Sequence, residues 1–247
     1  MDKIKLGSKT AKDGFKNEFF VVNEFNSWKK SELSRAWLIE MGYILDEIES
    51  VKATKIKGGF KADVQILVEI KFKNLLDIQN LQVKLVGNLQ GFNQIDKRWL
   101  NSYNELWNFN DEILEILKYF TGENKPFIVD SRDKRRMFFD EFSKIDQDKI
   151  INFFTKNKTL ILTDILKGRG KFTSEWFLVI LKMDELKWAL KNINEVINIY
   201  DGEVVISPKG SLKIGKITMQ RKGGDGGRKT ANMLQFKINP CELFNIK

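Results

Sequence analysis

The sequence predicts an α+β fold with a helical insert and a strand-rich, basic C-terminal lobe. Helical and strand-like periodicities occupy separate stretches of the chain, which is typical of this class. The 247 residues suffice for one large domain or for two lobes that share a core. The chain has three prolines and no evident repeat, so the sequence indicates no clear linker between domains.

Two helices and three strands are predicted first. The first helix spans Thr10–Trp28 and has apolar residues every three or four positions. The second helix spans Leu33–Met41, with Ser31 as its N-cap and Gly42 at its end. After Gly42 the residues follow a strand pattern interrupted by turns. This pattern predicts a meander of three strands at Val51–Lys57, Ala62–Ile70 and Leu81–Val86.

The rest of the chain predicts helices and then strands. Helices with acidic first turns are predicted at Asp111–Phe120, Asp133–Phe142 and Asp146–Phe154. A buried strand at Trp176–Leu181 precedes a helix at Trp188–Tyr200. Further strands are predicted at Val204–Ile206, Leu212–Gln220 and Met233–Ile238. We therefore expect three regions with approximate boundaries: a core at 1–125, a mainly helical region at 126–203 and a strand-rich region at 204–247.

The positive charge of the chain is concentrated in two segments. The chain has 42 Lys and Arg against 33 Asp and Glu, a net charge of +9. Residues 51–100 contribute 9 basic and 4 acidic groups, and residues 205–247 contribute 9 and 2. Both segments are predicted as strands and loops, whereas a membrane-surface protein would carry its charge on an amphipathic helix. The charge pattern therefore favours a nucleic-acid partner, and we expect no membrane partner.

The composition excludes several classes of enzyme. The chain contains no histidine, which excludes Ser-His-Asp and Cys-His catalysis, His-containing zinc sites and nucleases with an imidazole base. Cys241 is the sole cysteine, so no internal disulfide and no Cys-rich metal site can form. Pro240 and Cys241 superficially suggest a cytosine methyltransferase, but a Gly-rich cofactor motif is missing. The N-terminus has no hydrophobic signal segment, so a cytoplasmic protein is expected.

Three polar residues of the predicted meander form a candidate metal site. In the third strand, Gln82 and Lys84 share one face because side chains alternate along a strand. Asp63 begins the preceding strand, and antiparallel pairing can bring it beside them. Asp63, Gln82 and the backbone carbonyl of Val83 offer oxygen ligands for a hard cation such as Mg²⁺, and Lys84 can orient or activate a water molecule. The alternative is a polar sheet face that contacts only water.

This set of residues resembles the active site of the PD-D/E-x-K nuclease superfamily. Flanking segments over nearly the whole chain resemble type II restriction endonucleases of the HinP type, which cut GCGC. The segments with this resemblance are GSKTAKDGFKNE at 7–18, LDEI at 45–48, LQVKLV at 81–86, GFNQIDK at 91–97, RDKRRMF at 132–138, LTDILKGRG at 162–170 and QRKGGDGGRKTANMLQFKI at 220–238.

The resemblance implies both a fold and a reaction. The fold would be a restriction-endonuclease-like core, a mixed central sheet flanked by helices, with a catalytic nuclease core at 1–125 and a DNA-reading region at 204–247. The reaction would be Mg²⁺-dependent hydrolysis of a phosphodiester in each strand of double-stranded DNA, leaving 5′ overhangs. By position, Asp63 and Gln82 would hold the metal and Lys84 would serve the nucleophilic water.

The sequence departs from the superfamily pattern at two positions. Ala62 replaces the proline before the acid, which concerns turn preference rather than chemistry. Gln82 replaces the usual second carboxylate and removes a negative charge from the metal site. An additional carboxylate would compensate, and Glu18 on the first helix is our candidate. The alternative for Glu18 is a solvated helix residue without a role in the site.

The glycine-rich stretch near the C-terminus is a candidate DNA-reading loop. It lacks the spacing of a P-loop, but its backbone N–H groups can approach phosphates and its cations suit guanine in the major groove. The alternative is a mobile hairpin tip that is basic by chance. The candidate residues are Gln220, Arg221, Lys222, Arg228 and Lys229, with Asn232 and Gln235 as additional amide contacts.

A second candidate DNA-binding segment follows the third strand. We expect residues 91–97 to form a loop in which Asn93 and Gln94 touch base edges and Lys97 binds a phosphate. Phe92 is either an apolar wedge between base steps or a core residue. The basic cluster at 132–136 is surrounded by the acidic residues Asp130, Asp133, Asp140 and Glu141, and we expect it to be a solvated helix.

One rival function is left open by the residues themselves, a sequence-specific DNA-binding protein without catalysis. It would explain the charge but would give no reason for Asp63, Gln82 and Lys84 to converge. A homodimer or a single asymmetric monomer can read a short palindrome equally well. A cognate methyltransferase would act on the same DNA site rather than bind this protein.

Overall fold

The computed structural model describes residues 3–71, 75–224 and 228–244, with the backbone alone at residues 3–13. The helices are α1 Lys3–Asn26, α2 Glu32–Glu40, α3 Leu100–Trp107, α4 Asp111–Thr121, α5 Lys144–Lys156, α6 Lys158–Leu166 and α7 Ile193–Tyr200. The strands are β1 Ile48–Lys55, β2 Val64–Ile70, β3 Leu75–Val86, β4 Asn93–Arg98, β5 Trp176–Lys182, β6 Leu186–Asn192, β7 Val204–Ile206, β8 Leu212–Ile214, β9 Ile217–Arg221 and β10 Leu234–Ile238.

The first sheet is mixed and has the strand order β1-β2-β3-β5-β6. The first three strands form the expected antiparallel meander, β5 joins β3 in parallel, and β6 is antiparallel to β5. Helix α1 packs against β1, β2 and β3. The shared apolar core includes Val21 and Phe25 of α1, Val64 of β2, and Leu81 and Val83 of β3. The predicted α+β class with a mixed, helix-flanked sheet is thus confirmed.

The second sheet is antiparallel throughout and has the order β4-β10-β9-β8-β7. Its interior consists of alternating apolar residues such as Leu212, Met219 and Phe236, which are fully buried. The stretch predicted as one strand at 212–220 is divided into β8 and β9. The division occurs because Gly215 has φ +56 and starts a tight hairpin turn, with Ile214 paired to Ile217.

Several predicted elements form as expected at the N-terminal end. Ser31 caps α2, since its Oγ accepts a hydrogen bond of 2.9 Å from the Ser34 N–H. Gly42 follows the helix with φ +90. Helix α1 begins earlier than predicted, at Lys3, and the third strand of the meander is longer than predicted, beginning at Leu75.

The helix predicted at 133–142 is wrong. Only a short 3-10 turn occurs there, at Phe139–Glu141. Asp133 accepts hydrogen bonds from the Arg135 N–H and from its guanidinium, so local side-chain bonds replace the helical ones. The guanidinium of Arg136 lies 3.9 Å from the centre of the Phe138 ring. The basic cluster is therefore an ion-paired turn and not a solvated helix.

The helix predicted at 188–200 is half wrong. Residues 188–192 belong to β6, because the apolar strand β5 takes an antiparallel partner, with Trp188 opposite Ile180. Helix α7 starts only at Ile193, where Asn192 Oδ1 accepts a bond of 3.0 Å from the Asn194 N–H. The helices α3 and α6 were not predicted.

The chain divides into two compact units that are interleaved in sequence. One unit comprises Met1–Gly91, Leu166–Ile199 and Pro240–Lys247, and the other comprises Phe92–Ile165 and Tyr200–Asn239. This division differs from the three consecutive regions expected from the sequence. The reason is the parallel pairing of β3 with β5, which brings distant segments into one sheet. Across the described part of the chain, no helix is both long and apolar enough to span a bilayer.

Candidate active site

Asp63 is held rigidly at the start of β2, beside the middle of β3. Its N–H donates to the Leu81 carbonyl at 2.8 Å, and its own carbonyl accepts from the Ile56 N–H at 2.9 Å. Its carboxylate Oδ2 accepts a hydrogen bond of 2.7 Å from the Val83 N–H. Backbone bonds on both sides and a side-chain bond therefore fix this carboxylate against β3.

Gln82 lies in β3 with an unusual environment. Its side chain is 3% exposed, and it stands opposite the fully buried Phe177 of β5. In the part of the chain that the structure describes, its Oε1 is buried without a hydrogen-bond partner. Buried polar atoms are nearly always paired, so this carbonyl oxygen is available to a cation or a water molecule. Its position next to the fixed Asp63 makes it a strong candidate metal ligand.

Charged side chains surround the Asp63 carboxylate. Burial raises the pKa of Asp63, while the positive charge of Lys84 and the Val83 N–H lower it. The negative charge of Glu18 raises this pKa and the positive charge of Lys61 lowers it, so both side chains lie within electrostatic range. The net result is a raised pKa. A bound cation would offset the cost of keeping this carboxylate charged.

Glu18 lies on the side of α1 that faces the sheet edge. Its Oε2 is 2.6 Å from the Lys55 Nζ, and both side chains are largely buried. The same Nζ lies 4.0 Å from the centre of the Phe15 ring. Glu18 is thus ion-paired within the core unit and is not a solvated helix residue. The sequence did not indicate the roles of Lys55 and Lys61, although Lys61 stands only two residues before Asp63.

The donor set fits a hard divalent cation. It contains the Asp63 carboxylate, the unpaired Gln82 amide oxygen and, at longer range, the Glu18 carboxylate. No group of three or more His, Cys, Asp or Glu side chains able to hold a metal occurs among the described residues. The donor set at Asp63 differs from such a group because one of its oxygen donors is the amide of Gln82.

The second sheet brings distant polar residues into one row. Gln235 of β10 stands opposite Lys97 of β4 on one side and opposite Gln220 of β9 on the other. Gln94 of the same β4 strand stands opposite Lys237 and is exposed. The loop predicted at 91–97 is therefore wrong, because the antiparallel pairing with β10 makes residues 93–98 a strand.

Arg221 and Asn232 use their polar atoms within the protein. The Arg221 Nε donates to the Thr121 carbonyl at 2.8 Å, and its Nη2 donates to the Asn232 Oδ1 at 2.7 Å. The Asn232 Nδ2 in turn donates to the Gly122 carbonyl at 3.0 Å. Burial lowers the pKa of Arg221. These bonds tie β9 to the end of α4.

The remaining predicted DNA-binding residues differ in exposure. Gln235 is 4% exposed, whereas Phe92 is 57% exposed and is not a core residue. Arg228 and Lys229 are exposed, and Asn93 and Lys222 are partly exposed. Residues 225–227 at the centre of the glycine-rich stretch lie outside the described residues.

Two comparisons with known proteins found matches. A family model described as R.HinP1I restriction endonuclease matches residues 41–244. Among solved structures, the chain resembles the restriction endonuclease MspI in complex with its cognate DNA, with a TM-score of 0.67 and 14% sequence identity. The match covers 96% of this chain and 93% of the MspI chain. No curated protein matches the sequence significantly.

Proposed function

Since this chain belongs to the R.HinP1I restriction endonuclease family, and is thus a type II site-specific deoxyribonuclease, we propose that it cleaves both strands of DNA at GCGC in a Mg²⁺-dependent reaction. We further propose that cleavage leaves 5′ overhangs. Membership of an endonuclease family argues against the alternative function, a DNA-binding protein without catalysis.

The proposal that the enzyme binds Mg²⁺ rests mainly on the unpaired, buried Oε1 of Gln82 beside the fixed carboxylate of Asp63. Asp63, Gln82 and the Val83 carbonyl would hold the ion, and Glu18 would supply a further negative charge. When bound, Mg²⁺ supplies a Lewis acid for the phosphoryl oxygen and lowers the pKa of a bound water. The chain contains no histidine, so none of these tasks can fall to an imidazole.

Lys84 would orient the attacking water and offset the charge of the scissile phosphate. It follows Gln82 by two residues on β3, so period-two geometry places both side chains on the same face of the strand. Its charge already acts on Asp63, which supports a position at the reacting centre. A lysine in this position stabilises negative charge that develops on the phosphate during hydrolysis.

DNA reading is proposed for the exposed polar residues of the second sheet and its loops. Exposed or partly exposed side chains can contact base edges or phosphates, and Phe92 can enter between base steps. Arg221, Asn232 and Gln235 would hold this surface in place, because their polar atoms bind the protein or are buried. The proposed contact residues are Phe92, Asn93, Gln94, Lys97, Gln220, Lys222, Arg228 and Lys229.

The proposal is tested by incubating the protein with plasmid DNA and Mg²⁺, with EDTA as the control, and by sequencing the ends. Fragments that all end within GCGC with 5′ overhangs are expected. Cleavage that persists in EDTA, or ends that share no short palindrome, would refute it.

Sedimentation with and without a GCGC duplex distinguishes a homodimer from a monomer. A cytoplasmic location and a cognate methyltransferase that modifies the same site are proposed with this function.

A further inference from the structure

Two loops meet immediately before Asp63 in the first unit. One comprises residues 56–62, between β1 and β2, and the other comprises residues 167–173, between α6 and β5. The Ala62 N–H donates to the Phe172 carbonyl at 3.3 Å, and the Phe60 and Phe172 rings meet edge to face with centroids 5.0 Å apart. Gly168 lies so close to Lys61 that an added Cβ would be 2.6 Å from the Lys61 Cβ. We call these segments the basic loop pair.

The basic loop pair is strongly positive. Its 14 residues include five Lys or Arg, and Asp63 and Glu175, the acidic residues of the two connections, follow the pair directly, before β2 and β5. The five cations are Lys57, Lys61, Lys167, Arg169 and Lys171. The side chains of Lys57, Arg169 and Lys171 are exposed. A strongly positive surface raises the local concentration of a polyanion.

Hydrogen bonds and one left-handed residue shape the backbone of the loop pair. Phe172 has φ +56, in the left-handed region that bulky residues rarely adopt. Its conformation is maintained by the bond from Ala62, and the second loop is closed by the bond of 2.9 Å from the Ser174 N–H to the Lys167 carbonyl. Strain of this kind is concentrated at functional sites. Lys171 Nζ lies 5.0 Å from the centre of the Phe172 ring, so its cation is positioned by the strained residue.

We propose that the basic loop pair binds the phosphates that neighbour the scissile phosphate in the cut strand, independently of base sequence. This inference rests on the proposed function, in which Asp63 faces the scissile phosphate. Phosphates follow one another along a strand at roughly 3.4 Å of helical rise, so those next to the scissile one lie close to any loop that contacts the residue before Asp63. The compact ammonium and planar guanidinium groups of these loops suit phosphate oxygens.

The test is the salt dependence of DNA binding by the full chain in EDTA. The triple variant Lys57→Gln, Arg169→Gln, Lys171→Gln removes the three exposed cations. Its matched control is Lys29→Gln, Lys30→Gln, Arg35→Gln, which removes three exposed cations of the same unit near the end of α1 and in α2. Each phosphate contact contributes about 0.9 to the slope of log affinity against log salt concentration.

For the loop variant, the slope of log affinity against log salt concentration should be smaller in magnitude by about 2 to 3, on GCGC and random duplexes alike. At 0.1 M salt its affinity for DNA should be reduced on the order of 10²-fold. The control variant should keep the wild-type slope. Neutral methylphosphonates next to the scissile phosphate should weaken wild-type binding and leave the loop variant unaffected.

Three outcomes would overturn the inference. The loop variant could keep the wild-type salt slope, the control variant could show the same change in slope as the loop variant, or the loop variant could lose affinity for the GCGC duplex alone. These outcomes are separable from failure of the proposed function, because wild-type cleavage of plasmid DNA with Mg²⁺ is measured alongside. If the wild type cleaves and the loop variant keeps its slope, only the inference fails. If the wild type does not cleave, the proposed function fails.

Discussion

Replacing Gln82 with methionine should make the metal-free protein more stable and the enzyme less active. The unpaired Oε1 is buried in β3, and leaving a buried polar atom without a partner costs about 1–3 kcal/mol. Methionine is similar in length and carries no such oxygen. The free energy of unfolding in EDTA should therefore rise by about 1 to 2 kcal/mol. For a chain of this size that corresponds to an increase in Tm of roughly 2–8 °C.

The same substitution should weaken metal use. If Oε1 is a metal ligand, the Mg²⁺ concentration that gives half the maximal cleavage rate should rise by about 10-fold or more. The measurements are thermal unfolding in EDTA and a Mg²⁺ titration of the cleavage rate on plasmid DNA. A Gln82→Glu variant should show the opposite pattern. Its added charge beside Asp63 should lower the Tm in EDTA, while the rate should saturate at a lower Mg²⁺ concentration unless the new carboxylate pairs with Lys84 and lowers the maximal rate.

Gln65→Met provides a matched control on the neighbouring strand β2. Its amide is satisfied, since Nε2 donates to the Asn80 Oδ1 at 3.1 Å, so its removal should not stabilise the protein or alter the Mg²⁺ titration. A Gln82→Met variant that is less stable than wild type in EDTA and cleaves like wild type at every Mg²⁺ concentration would refute the reasoning. The metal site would then have to be built from other residues.

Four further predictions rest on the same geometry. Asp63→Ala and Lys84→Ala should each abolish cleavage but leave specific DNA binding largely intact, because their interactions act in the transition state; gel-shift and cleavage assays compare the two, and a near wild-type rate would contradict the assignment. Glu18→Gln should raise the Mg²⁺ requirement, because it removes a negative charge near Asp63, and an unchanged Mg²⁺ titration would exclude Glu18 from the site. Arg228→Ala should weaken binding to GCGC by about 1–3 kcal/mol with little effect on a random duplex if it reads guanine. Arg221→Ala should instead lower the Tm, because the Arg221 guanidinium donates hydrogen bonds within the protein. A normal Tm together with lost preference for GCGC would contradict this structural role and would make Arg221 a DNA-reading residue.

The core of the candidate site is predictable from the sequence because its determinants are local. Alternation along one strand places Gln82 and Lys84 on the same face, and the short connection from the preceding strand limits where Asp63 can lie. The α+β class and the cap of the second helix follow from equally local signals, periodicity and the Ser31 side chain. Such features depend on neighbours in the sequence, so they need no knowledge of distant contacts.

The features that require distant contacts were decided by the tertiary structure. The segment 93–98 has the composition of a loop and becomes a strand because it pairs with β10, about 140 residues later in the chain. Residues 188–192 become a strand because β5 takes them as its partner, and Arg221 turns inward because the end of α4 offers a carbonyl. The unpaired oxygen of Gln82 is likewise a tertiary property, since Phe177 from a remote strand stands opposite it in the sheet. The local sequence determines how readily a segment forms a helix, strand or loop. Strand pairing and burial add their energy only when remote segments meet, and this energy decides the structure where it conflicts with the local preference.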